Sequence, residues 1–164
     1  MSHYDKTNEL PIYQKAELIY QLVESLVASL PENDEYIQAT TAFMRADAMQ
    51  ITAKIAGAEG GDLYSIRMQN AAIIRDHAMQ LYVQVGSLRF QKNYKDLEYV
   101  KLIRKELNEF RLLFVDWVNS FDTNNHIWDE WGLFNPKGAI PPTEDDGFED
   151  ENFDVNDFFD ENDD

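Results

Sequence analysis

Leu97, Val100, Ile103, Leu107, Phe110, Phe114, Trp117 and Phe121 recur at spacings of three and four, and this run constrains the fold more than any other feature of the chain. Such a period sets all of these side chains on one face of an α-helix, whereas a strand would scatter them over both of its faces. The run lasts about seven turns, so the helix carries a long apolar seam that other helices must cover. Three earlier segments supply matching seams. The first opens at Pro11, a residue suited to a first helical turn, presents Ile12, Ala16, Ile19, Val23, Leu26 and Leu30, and ends at Pro31. The second presents Ile37, Thr40, Met44, Ala48, Ile51 and Ile55 and stops at Gly60-Gly61, where left-handed dihedrals are accessible. The third has Asp62 as its expected cap and presents Leu63, Ile66, Asn70, Ile74, His77, Leu81, Val85 and Leu88; Asn93 is the expected cap of the fourth.

The expected helices cover residues 11–30, 34–58, 62–91 and 94–121. Helices of this size are roughly 30 to 40 Å long, and short breaks between them favour neighbours that fold back on one another. The fold class read from the pattern is all-α, an antiparallel up-down four-helix bundle without strands. A chain of 164 residues with 44% hydrophobic content is enough for one such core. After Phe121, large apolar residues fall among polar and turn residues, and this aromatic appendage, residues 122–140, is expected to dock on the bundle or on a neighbouring subunit. Leaving Ile127, Trp128, Trp131, Leu133 and Phe134 in water forgoes about 1.5–3 kcal/mol each. The bundle with its docked segment then spans 1–140. Residues 141–164 form an acidic tail with Phe148, Phe153, Phe158 and Phe159 interspersed, too charged to offset its own ordering entropy, and disorder is the expectation there.

The net charge of −17 is unevenly spread. Residues 141–164 hold 12 of the 31 acidic residues and no Lys or Arg, so the remainder, with 19 acids and 14 bases, carries only −5. Without Cys there are no disulfides, thiolate nucleophiles or Cys-based metal sites. The opening Met-Ser-His-Tyr-Asp-Lys has no basic stretch followed by an apolar run, and no segment approaches 18 apolar residues, so the expected location is cytoplasmic with no membrane partner.

A four-helix bundle invites a test for di-iron chemistry, which needs two Glu-x-x-His pairs. Neither exists: His77 and His126 have Ile74 and Thr123 three positions earlier, and His3 lies in a frayed terminus. His77 on the third seam reads best as a core histidine with one partner. The Ala56–Asp62 stretch lacks the Lys-Ser/Thr of a phosphate loop and follows no strand. Neither catalysis, nor a metal, nor a cofactor is expected.

What stands out is surface pattern. The third segment bears a second apolar stripe, Met68, Ala72, Met79, Val83 and Phe90 with Tyr82 beside it, nearly opposite the first. One bundle cannot bury both faces, which points to a homo-oligomer interface. The third and fourth segments also carry basic flanks, Arg67, Arg75 and Arg89 on one and Lys101, Arg104, Lys105 and Arg111 on the other. If they adjoin, they suit a phosphate backbone, RNA or DNA; otherwise they are a solvated, salt-bridged surface.

The stretch Ile51-Thr-Ala-Lys-Ile-Ala-Gly-Ala-Glu-Gly-Gly-Asp, the small-residue helix Asn70-Ala-Ala-Ile-Ile-Arg and the run Gln84-Val-Gly-Ser-Leu resemble the four-helix proteins encoded in 23S ribosomal RNA intervening sequences, over residues 10–121. That family is similar in turn to the accessory subunit of diversity-generating retroelements, a pentameric barrel of four-helix bundles whose basic surface binds nucleic acid and the reverse transcriptase. The resemblance implies an oligomer, a pentamer in its expected form. This chain differs in its mildly acidic body and long acidic tail. Two functions therefore stay open: a non-catalytic oligomeric scaffold that binds nucleic acid through its basic flanks, and a protein-interaction module whose Phe-bearing tail docks on a basic partner or on its own basic flank.

Overall fold

The computed structural model describes residues 3–143. It consists of α1 (His3–Asn8), α2 (Pro11–Ser29), α3 (Glu35–Glu59), α4 (Tyr64–Ser87), a 3-10 turn at Leu88–Phe90 and α5 (Glu98–Asn119). No strand occurs among the described residues, and no helix there is long and apolar enough to cross a membrane. Helix α1 is an element that the sequence reading left as a frayed end.

The four long helices share one core. Helices α2 and α4 each pack against both α3 and α5. Ile19, Val23 and Leu26 from α2 meet Met44, Ile51 and Ile55 from α3, Ile74, Leu81 and Val85 from α4, and Ile103 and Phe110 from α5, all buried. The seams read for α2, α3 and α5 are the faces that the structure buries, with only Leu97 and Phe114 left half-buried. On α4 the reading fails in the first two turns, where Ile66 is exposed and Ala71 is buried instead.

The caps follow backbone need. Asp34 caps α3 by accepting from the Tyr36 and Ile37 amides at 3.0 and 3.2 Å. Asp62 does not cap α4: the Tyr64 amide donates to the Asn125 carbonyl at 2.9 Å, so a distant segment satisfies that orphan donor. Asn93 does not cap α5 either. The connection buries Tyr94 in the core, which delays the helix until Glu98, whose amide donates to Asp96 at 3.1 Å. Gly60 ends α3 with right-handed dihedrals (φ −69°), so the expected left-handed turn is not used.

A buried polar contact fastens α2 to α5. Lys15 Nζ donates to Glu106 at 2.5 Å and to Glu109 at 2.8 Å. Glu106 is buried, so replacing the ammonium strands a carboxylate. Hydrogen bonds to Glu106 and Glu109 raise the Lys15 pKa above its ordinary 10.5, and the Lys15 bond lowers that of Glu109 below 4.5. The lysine's contribution is complete below its ordinary value and is lost only as pH rises through the raised one. The Glu109 contribution is present above 4.5 and is lost as pH falls through the depressed value. Lys15→Met is expected to lose about 1–3 kcal/mol at neutral pH. Urea midpoints taken at falling pH should show the gap to wild type narrowing through the carboxylate range; a gap independent of pH would contradict this pairing.

Candidate functional site

The seam between α4 and α5 is where the structure concentrates unusual surface. Tyr82 of α4 lies beneath the Arg104 guanidinium of α5, 4.0 Å from ring centroid to Cζ. Gly86 makes the room for this stack, because a Cβ there would sit 3.3 Å from the guanidinium. Beside the stack the helices part to leave a cavity of about 490 Å³. Leu107, Phe110 and Phe114 form its floor, Met79, Val83 and Val115 its walls, and Arg75, Asn108 and Arg111 its polar edge. A second, more open depression adjoins it, edged by Lys101, Arg104, Lys105 and Arg111. The composite is an apolar trough with a cationic rim.

The predicted basic residues divide. Arg75 and Arg111 are exposed on the rim of the first cavity, and Lys101, Arg104 and Lys105 edge the more open depression beside it, so these five share one surface. Lys101 and Lys105 have Glu98 and Glu109 within 3.6 and 3.9 Å, loose exposed pairs of little energetic consequence. Arg67 does not join them. It pairs with Glu59 and lies over the Phe121 ring at 4.2 Å, its side chain 12% exposed, so it is a packing residue at the far end of the seam. Arg89 is exposed and stacks on Phe90 at 4.9 Å, outside both cavities.

The second stripe divides too. Met79, Val83 and Phe90 are 53, 68 and 74% exposed, and Ala72 is exposed beside them. Met68 and Tyr82 are half-buried and pack against the chain's own core. Phe148, Phe153, Phe158 and Phe159, with the acidic tail from residue 144 onward, lie outside the described residues.

Within one copy the appendage is largely undocked from the bundle: Trp131 and Leu133 are 89 and 75% exposed, Ile127 and Ile140 are exposed too, and Trp128 and Phe134 are half-buried. The segment instead folds around Asp129. Its carboxylate accepts from the Trp131, Leu133 and Phe134 amides at 3.0, 3.0 and 2.9 Å, and these bonds, Phe134's foremost, hold its pKa below the ordinary 3.8. Asn135 closes the turn by accepting from the Asp129 amide and donating to its carbonyl. Gly132, at φ +70°, permits the reversal. Sequence reasoning missed this turn.

Interior titratable groups are paired with one another, away from the trough. His77 Nδ1 sits 2.7 Å from buried Asp47, and Glu59 accepts from Trp117 Nε1 at 2.8 Å as well as pairing with Arg67. Among the described residues no three His, Cys, Asp or Glu side chains converge in a way that could hold a metal ion. The chain matches no family model, no curated protein and no solved structure.

Proposed function

We propose that the protein is a non-catalytic helical scaffold that assembles with copies of itself through the α4–α5 face. Antiparallel, up-down helices fit this reading. Tyr82 near the end of α4 meets Arg104 near the start of α5, while Arg67 near the start of α4 meets Phe121 just beyond the end of α5. The observation that carries the proposal is the apolar strip formed by Met79 and Val83 of α4 with Leu112 and Val115 of α5, all exposed in one copy. A strip of this kind is an association surface. The non-catalytic part rests on the lining of the 490 Å³ cavity, which contains no carboxylate, imidazole or thiol to act as acid, base or nucleophile. Five copies are the order that the resemblance to intervening-sequence proteins implies.

Sedimentation equilibrium of the full chain tests assembly. The expected mass is a whole multiple of 19.1 kDa, and 19.1 kDa itself at every concentration contradicts the proposal. A second reading has its own observation, the shared rim of Arg75, Lys101, Arg104, Lys105 and Arg111, which suits a polyanion such as RNA or DNA. In the same runs, added duplex DNA or structured RNA at low salt should co-sediment with wild type and not with Arg75→Glu/Arg111→Glu. Equal behaviour of the two proteins removes the rim from the account.

A further inference from the structure

Two surfaces of this chain are unsatisfied in opposite senses. One is convex: Trp131 and Leu133 stand out on the Asp129 turn, with Ile127 and Ile140 exposed on the same segment. The turn is built before any partner arrives, since five hydrogen bonds between Asp129 or Asn135 and the segment fix its path. A rigid aromatic anchor of this sort loses little conformational freedom on binding. The other surface is concave: the trough of about 490 Å³, floored by Leu107, Phe110 and Phe114. That volume lies in the range of sites that enclose a large apolar group.

Their charges are complementary as well. Residues 122–140 carry Asp122, Asp129 and Glu130 against Lys137, while the trough is edged by Arg75 and Arg111. Glu130, next to Trp131 and exposed, is placed to meet a cationic rim. Within one copy the two surfaces do not meet. The segment is tied to the start of α4 through the Asn125 carbonyl and the Tyr64 amide, and Met79 lies about 22 Å farther along that helix at 1.5 Å per residue. A Trp131 turn that fills the trough therefore comes from another copy.

We infer that copies of this chain join head to tail, the Trp131 turn of one seated in the α4–α5 trough of the next. This rests on the self-association proposed above and specifies its geometry. A contact between two different patches is heterologous, and its repetition closes into a ring when the rotation permits. Two turns meeting each other would pair convex with convex and leave both troughs uncovered.

Complementation tests the inference. Trp131→Ala/Leu133→Ser disables the turn, and Met79→Glu/Val83→Glu disables the trough; all four positions are exposed, so the fold is retained, with circular dichroism as the check. Each variant alone is expected at 19.1 kDa, and their equimolar mixture at twice that, because one intact turn then meets one intact trough. Removal of residues 144–164 is expected to leave the assembly intact. A mixture that stays monomeric, or a turn variant that keeps the wild-type mass, overturns the head-to-tail contact while wild-type assembly stands. Disassembly on removing 144–164, with the turn variant still assembled, assigns the trough to that segment instead. A monomeric wild type defeats the self-association reading itself.

Discussion

Phe110→Ala is expected to cost about 3–5 kcal/mol, the largest loss from any single truncation on α5. A small domain holds about 5–15 kcal/mol in all, so this change removes roughly a fifth or more of the reserve. The reasoning begins with position. Phe110 is the middle of the α5 seam, fully buried, with Phe114 at 6.3 Å between ring centroids on one side and the shared core on the other. Truncation loses both the transfer free energy of the ring and the contacts of the groups that lined it. The void also opens toward the trough, whose floor Phe110 helps to form, so water entry limits the cost to this range instead of exceeding it. Phe110→Leu fills most of the void and should lose about 1–1.5 kcal/mol. Urea denaturation at one fixed protein concentration measures both, since the proposed self-association would make stability depend on concentration. A loss below about 1 kcal/mol for the alanine variant would mean that the α5 seam is not what holds the helices together.

The same seam explains how much of the fold could be read in advance. Helices α2, α3 and α5 each have one continuous apolar seam that outweighs their scattered exposed apolar residues, and a single seam leaves one way to pack. Helix α4 has two, so period alone could not decide which turned inward, and Ile66 and Ala71 exchanged roles. Capping was misjudged for a related reason. Asp62 and Asn93 are good caps by residue type, but the free amide at the start of α4 is met by Asn125, 61 positions farther along by number, and that at the start of α5 by Asp96. Local propensity carries no record of such partners.

At the candidate site, the sequence exposed the residue types but not their neighbours. That Arg75 and Arg111 share one rim follows from α4 lying beside α5. The withdrawal of Arg67 into a pair with Glu59, across the α3–α4 turn, was hidden because its sequence reads like that of the other arginines of the basic flank. The turn around Asp129 left one trace, Gly132 between Asp129 and Asn135, which suits a reversal closed by polar side chains but does not by itself predict three amides on one carboxylate. Nothing in the local sequence marks Lys15, Glu106 or Asp47 as paired; contacts between helices supply their partners.

Assembly through α4 and α5 can be read directly from two methionines. In a single copy Met79 on α4 and Met49 on α3 are 53 and 56% exposed, so a freely soluble monomer would oxidise both at similar rates. Hydroxyl-radical or peroxide footprinting of the native full chain, read residue by residue by mass spectrometry, compares them within one sample. Seated beneath a second copy, Met79 should be protected severalfold relative to Met49, and dilution should erase the difference. Equal oxidation of Met79 and Met49 at every protein concentration would contradict the account.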